Sequence, residues 1–253
     1  MKRVVPIISQ KGGVGKSTCS RGLVDVARSA GITTAAYDAD GGVGQLLAHY
    51  GERDSNGSLM VNQQAARGVE YFDVRDVFAR ETLVNVIDAP AQLVVIDLPG
   101  GSMDAIAAVV PGGLPGLLDT WVEEGWDVRV VHVITSLKAC ALEVLRVVEA
   151  LGPHAASLRV AKNLGISDPN AFYIFEGDGE GRYGGPKTAL VEAGGKVFDV
   201  PRIRSRTYTW VDEFTMRFSE AAANDDEGHR GDRKWLREWL REFEAAIRHG
   251  DVL

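Results

Sequence analysis

The stretch Gln10-Lys11-Gly12-Gly13-Val14-Gly15-Lys16-Ser17-Thr18 decides the fold. It follows a short apolar run at residues 4–8 (VVPII) and opens a segment with helical patterning over residues 18–28. A glycine-rich loop between a strand and a helix is the setting that a phosphate loop requires. Gly12, Gly13 and Gly15 lack the Cβ that would stop successive backbone N–H groups, Val14 among them, from turning toward one centre. Such a nest, together with the positive end of the helix that follows, binds phosphate oxygens. Lys16 is placed to reach the β- and γ-phosphates, the Ser17 hydroxyl is the expected Mg²⁺ ligand, and Thr18 supports the α-phosphate. A mere glycine-rich turn with surface lysines would not need the strand before it or the helix after it.

Outward from this loop, short apolar runs at residues 33–37, 93–96, 128–134, 158–161 and 197–200 alternate with helix-length segments such as 137–151. In that segment Cys140, Leu142, Val144, Leu145, Val147 and Val148 fall mostly on one side. Strands this apolar are buried on both faces, as in parallel sheets covered by helices. The alternation predicts an α/β fold: a doubly wound, mostly parallel sheet with helices on both faces. Residues 165–187 are rich in glycine and polar residues and read as a flexible surface loop. The GDGEGR within them looks like a dinucleotide fingerprint only superficially, since no helix pattern follows closely. Residues 222–232 read as a solvated linker. The expected organisation is a P-loop domain over 1–222, then a linker and a C-terminal amphipathic helix in 223–253, packed on the domain or on a partner. Trp235, Leu236, Trp239, Leu240, Phe243 and Ile247 give that helix, over residues 233–248, its apolar spacing.

Composition narrows the classes. The 253 residues are 45% apolar and 25% charged, ordinary for a globular protein, and one large α/β domain fits the length. A net charge of −7 argues against a surface coated for DNA, although a local patch at Arg202, Arg204 and Arg206 could contact phosphates; a solvated turn or a nucleotide-side contact is the alternative. The two cysteines, Cys19 and Cys140, show neither disulfide nor zinc spacing, which points to a reducing cytoplasm. The opening MKRVVPIIS is too short in its apolar part for a signal peptide and reads as a buried first strand. No stretch approaches the ~20 apolar residues of a membrane span. The most apolar region, residues 106–118, is broken by Pro111, Gly112, Gly113, Pro115 and Gly116.

Two carboxylate motifs follow the loop. Tyr37-Asp38-Ala39-Asp40 ends the second apolar run, with Gly41, Gly42 and Gly44 behind it; a plain Asp- and Gly-rich turn is the alternative reading. Leu93-Val94-Val95-Ile96-Asp97 reads as a Walker B strand, with Asp97 at the carboxyl end where open α/β sheets bind ligands and where it would hold Mg²⁺ through water. Carboxylates beside a metal–triphosphate centre are what phosphoryl transfer to water needs. The ordinary loop motif is G-x-x-x-x-G-K-[ST], but here Gln10 takes the first glycine position and Lys11 follows it. The resulting K-G-G-x-G-K-[ST] resembles the deviant Walker A loop of the ParA/MinD superfamily, and the resemblance is strong over residues 1–45 and 90–101.

That resemblance implies ATP and Mg²⁺ as cofactors. It implies that Lys11 reaches across a dimer interface to the partner's nucleotide, that Asp40 positions or polarises the attacking water, and that Asp38 supports the Mg²⁺ shell. Lys11, Lys16 and Asp40 are then the catalytic residues, and Ser17, Asp38 and Asp97 the metal site. Leu98-Pro99-Gly100-Gly101 looks like the family's switch segment, with Gly100 approaching the γ-phosphate. Asn163, at the end of LRVAKN, matches the asparagine that relatives place on the adenine edge, and Pro201, in VPR, the place where backbone wraps the base; ordinary turn residues are the alternatives. Within the superfamily the chain looks most like the TraL-like and StbB-like ATPases of plasmids and conjugative elements. The implied partners are a second copy of the chain and an adaptor or centromere-binding protein, with non-specific DNA at Arg202, Arg204 and Arg206. The last helix has a mixed polar face, which favours packing over a membrane surface. Two rivals remain at this stage: an ATP-dependent small-molecule ligase of dethiobiotin-synthetase-like type, which has no need of Lys11, and a nucleotide-gated binding module that turns over slowly.

Overall fold

At the centre of the computed structural model, which describes residues 2–225 and 228–253 with the side chains of residues 79 and 80 excepted, stands an eight-stranded sheet. Its strands are β1 (Arg3–Ile8), β2 (Thr34–Asp38), β3 (Glu70–Tyr71), β4 (Leu93–Asp97), β5 (Asp127–Val128), β6 (Val130–Ile134), β7 (Leu158–Asn163) and β8 (Lys196–Val200). They run in the order β3-β2-β4-β1-β6-β7-β8, with β5 also paired to β1, and every strand pairing is parallel. Around the sheet lie α1 (Lys16–Ser29), α2 (Gln45–Tyr50), α3 (Arg80–Asn85), α4 (Ser102–Val109), α5 (Gly113–Glu123), α6 (Lys138–Leu151), α7 (Tyr173–Glu176), α8 (Gly185–Glu192), α9 (Ser205–Glu213), α10 (Phe218–Ala223) and α11 (Arg230–His249). Every residue of β2, β4, β6 and β7 is buried, as strands covered by helices on both sides must be.

Register brings the chemistry to one edge. Ile7 of β1 and Asp38 of β2 both sit opposite Asp97 of β4, so the end of β1, which becomes the glycine loop, meets two carboxylates at the carboxyl end of the sheet.

The alternating pattern located six strands, but some expectations need correction. The apolar run at 128–134 is two strands, broken at Arg129, whose guanidinium bonds Asp127 and Asp251. In α6, Cys140, Val144, Val147 and Leu151 are buried while Leu142 and Leu145 are exposed, so the inward stripe is narrower than the apolar spacing implied. Residues 165–187 are a surface loop only in part. Residues 169–176 form a 3-10 turn (Pro169–Phe172) and α7, anchored in the core by Phe172 and Phe175, whereas residues 177–184, which hold GDGEGR, belong to no helix or strand and are largely exposed before α8 starts. A helix therefore does follow GDGEGR within three residues, but the segment lies after α7, with no strand leading into it.

The proposed linker at 222–232 is shorter than expected: α10 runs through Ala223 and α11 starts at Arg230, and residues 226–227 lie outside the described residues. The last helix packs on the chain itself. Leu236, Trp239, Phe243 and Ile247 are buried, with the Trp239 and Phe243 rings stacked at 5.0 Å. A Cβ on Gly22 of α1 would come within 2.8 Å of Phe243 and 3.0 Å of Trp239, so glycine there lets α11 lie close against the P-loop helix. Residues 106–118 form parts of α4 and α5, which meet at a 70° bend. Among the described residues no single helix is long and apolar enough to cross a membrane; the bent pair passes that test by composition, but Ile106, Leu114, Leu117, Leu118 and Trp121 are spent on the core.

Candidate functional site

The loop after β1 has the shape its glycines foretold. Gly13 and Gly15 take positive φ, 73° and 96°, and Gly15 caps α1 from the left-handed region. A Cβ on Gly15 would run into the side-chain amide of Asn163, so both conformation and space demand glycine. Lys16 is buried and its Nζ donates to the Lys11 carbonyl at 3.3 Å, inside the loop. Desolvation lowers its pKa, opposed by the charges of Asp97, Asp40 and Glu143. Lys11 is exposed, and its ammonium makes no ion pair or hydrogen bond among the described residues. The two lysines therefore do different things: one serves its own loop and the other stands outside it.

A cavity of about 190 Å³ holds Gly12, Gly13, Lys16, Ser17, Asp38, Asp40, Asp97 and Gly100 together. Asp97 is buried and its Oδ1 has no hydrogen-bond partner. Desolvation, with the charge of Asp38, pushes its carboxyl up to about 7 against the pull of Ser17, Ser20 and Lys16. An orphaned, destabilised carboxylate oxygen beside the Ser17 hydroxyl fits a divalent cation, which would supply the missing positive charge. A cation held there by Ser17 and, through water, Asp97 would neutralise phosphate charge.

Asp38 is also buried, and burial raises its pKa, but its oxygens already accept from the backbone N–H of Asp40 at 3.2 Å and of Leu47 at 3.0 Å. It shapes the loop that carries Asp40. Asp40 itself is partly exposed at the rim, where its Oδ1 pairs with Arg75 Nη2 at 2.9 Å. Gly100 lies against the loop, where an added Cβ would approach the Gly12 nitrogen at 3.2 Å.

A larger cavity of about 550 Å³ opens on the other side of Ser17 and Thr18, lined by Asn163, Ile166, Val200, Pro201, Ile203 and Tyr208 among others. Its apolar walls suit a base. Asn163 donates from Nδ2 to the Val14 carbonyl at 2.7 Å and accepts at Oδ1 from the Gly165 N–H at 2.9 Å. One amide proton and one lone pair remain for a ligand. The Pro201 carbonyl accepts from Trp239 Nε1 at 2.8 Å, so α11 fixes this wall. Of the arginine cluster, Arg204 stacks on Trp235 at 3.5 Å and Arg206 pairs with Asp232 at 3.6 Å, and all three arginines are exposed.

Reading the motifs missed four residues. Glu143, buried on α6, accepts the N–H of Gln10 at 2.8 Å and so holds the first residue of the loop. Arg75 comes from a segment whose pattern predicted nothing. Tyr208 and Arg21 meet behind Thr18. Only Arg21 left a trace in the sequence, as a charge set among Cys19, Leu23 and Val24.

Residues 5–171 match the family model described as the CobQ/CobB/MinD/ParA nucleotide binding domain. The chain belongs to this family. No curated protein sequence matches it. Among solved structures it is similar to the MinD cell division protein of Aquifex aeolicus (14% identity over 96% of this chain and 97% of that one, TM-score 0.53). It is also similar to the septum site-determining protein MinD from Pyrococcus horikoshii complexed with Mg-ADP (15%, 97% and 96%, TM-score 0.51). A third likeness is to a putative plasmid partition protein of Borrelia burgdorferi bound to AMPPNP (12%, 98% and 97%, TM-score 0.51). At these identities the likenesses establish a shared fold, the ParA/MinD P-loop architecture read from the motifs.

Proposed function

We propose that the chain is a Mg²⁺-dependent ATPase with an ATP-gated dimer cycle, serving plasmid or chromosome partition or the positioning of a conjugative transfer complex. The observation that carries this reading is the split between the two loop lysines. Lys16 is buried and turned into its own loop, whereas Lys11 is exposed on the rim and its ammonium has no partner among the described residues. A second cation beside Lys16 would add repulsion to a site that already has one; on the rim it can meet the phosphates of a facing protomer, where charge develops during transfer. In this reading Ser17, with Asp97 through water, holds Mg²⁺ and Asp40 orients the attacking water. Asp38 acts on the metal centre through the loop it braces. Asn163 and the Pro201 backbone take the base. The partner is a second copy, with an adaptor or centromere-binding protein on the assembled dimer; DNA at Arg202, Arg204 and Arg206 would be a weak, salt-sensitive contact.

Light scattering on the hydrolysis-deficient Asp40→Ala variant, with and without Lys11→Ala, tests it. Asp40→Ala should bind ATP, dimerise on it and hydrolyse it on the order of 10²-fold more slowly. Adding Lys11→Ala should leave ATP binding nearly intact and abolish dimerisation. A double variant that still dimerises on ATP removes Lys11 from the interface, and an Asp40→Ala variant that binds ATP yet stays monomeric leaves the monomeric ligase reading ahead.

A further inference from the structure

A guanidinium buried behind the phosphate loop forms no ion pair among the described residues. It belongs to Arg21, which sits on α1 one turn after Thr18 and is fully buried. The rings of Phe218 and Tyr208, at 4.5 and 5.6 Å from its Cζ, soften the charge without neutralising it, and its Nε has no partner. A buried, unpaired cation is costly. The side chain is retained where an anion can repay that cost.

A guanidinium can only donate. Arg21 Nη1 therefore donates to the Tyr208 hydroxyl at 3.4 Å, and that hydroxyl stands 3.3 Å from Thr18 Oγ1, where either oxygen can donate. Thr18 and Tyr208 both line the larger cavity, beside Gly15 and Ser17. An anion there that accepts the Thr18 proton selects the arrangement in which Tyr208 donates to Thr18, so that the chain runs from Arg21 to the ligand. At the other end Arg21 Nη2 stands 3.1 Å from His49 Nδ1, which also lies 3.0 Å from the Met216 carbonyl, while His49 Nε2 faces Asp212 at 3.3 Å. Burial and the Arg21 charge lower the pKa of His49, opposed by Met216 and Asp212.

We propose that Arg21 and Tyr208 belong to the ligand site: the buried charge of Arg21, relayed through the Tyr208 and Thr18 hydroxyls, is a cation for the phosphate nearest the nucleoside. This inference rests on the reading of the cavity as a nucleotide site. Tyr208 comes from α9, so the relay also ties that helix to occupancy of the cavity, and Asp212, on the same helix, closes it.

The test is calorimetric titration of the full chain with ADP and with 2′-deoxy-ADP, using Tyr208→Phe. This variant removes one oxygen and leaves the ring on Arg21. ADP affinity should fall on the order of tenfold, the scale of one hydrogen bond to a charged group, with 2′-deoxy-ADP losing the same factor. Arg21→Gln should lose as much, and Tyr208→Phe on top of it should add little, because both break one chain. If Arg21→Gln does not fold, Tyr208→Phe decides alone. Unchanged ADP affinity in a folded Tyr208→Phe overturns the relay. A loss seen with ADP and absent with 2′-deoxy-ADP overturns the phosphate assignment in favour of a ribose contact. A wild-type chain that ignores ADP sinks the nucleotide reading itself, which Lys16→Ala checks independently by removing the loop cation.

Discussion

Asp97→Asn should make the ligand-free protein more stable while removing its response to Mg²⁺. Asp97 is buried with one oxygen unpaired, and burial with the neighbouring Asp38 lifts its carboxyl from 3.8 to about 7. An acid whose pKa is raised on folding binds more protons folded than unfolded between those two values, so stability falls as pH rises through that window. Above pH 7 the full penalty applies. A rise of about three units at ~1.4 kcal/mol each gives ~4 kcal/mol as an upper scale. The asparagine variant has no such penalty, so its advantage should be largest at pH 8, shrink as pH drops below 7 and vanish near pH 4. For a chain of this size ~4 kcal/mol corresponds to about 8–15 °C in Tm. Thermal unfolding of both proteins across pH 4–8 measures it. The same melts with ADP and Mg²⁺ should show the wild type gaining from the metal and the variant gaining from nucleotide alone. Equal pH dependence in the two proteins would refute the claim that Asp97 is held at an energetic cost for a cation.

Gly15→Ala forces a left-handed φ of 96° on a residue with a Cβ and drives that Cβ into the Asn163 amide. The fold should lose about 1–3 kcal/mol and ADP binding should be lost; wild-type affinity by titration would show that the loop does not need the Asn163 contact. Phe243→Ala empties a fully buried site stacked on Trp239 and should cost about 3–5 kcal/mol in denaturant unfolding. A cost under about 1 kcal/mol would mean that α11 is not firmly docked on α1.

How much was legible in the sequence follows from the range over which each feature is determined. The glycine loop, the Asp-x-Asp turn and the Walker B strand are local: the residues that make the shape are adjacent, and the apolar strands announce themselves by burial on both faces. The loop reading failed at residues 169–176 because the anchors, Phe172 and Phe175, belong to a segment too short for periodicity to mark, a 3-10 turn and a single helical turn. Arg75 meets Asp40 across 35 positions, Glu143 meets Gln10 across 133 and Tyr208 meets Thr18 across 190. Pairings that distant are set by strand order, which spacing does not reveal. The end of β7 at Asn163 was legible, but not the bond from its amide to the Val14 carbonyl of the loop, which follows from β7 ending beside the glycine that admits it.

The same distances tie the larger cavity to the end of the chain. It has a floor built from α1 and walls that include Val200, Pro201, Ile203 and Tyr208. Trp239 of α11 holds the Pro201 carbonyl, its neighbour Phe243 lies against Gly22 of the P-loop helix, and α9 supplies Tyr208. With its apolar face buried, α11 therefore touches both the wall at Pro201 and the helix that follows the glycine loop. Under the proposed function, a partner that bound its exposed face and favoured one nucleotide state would change nucleotide affinity without touching the loop, and by reciprocity nucleotide would change that partner's affinity by the same factor.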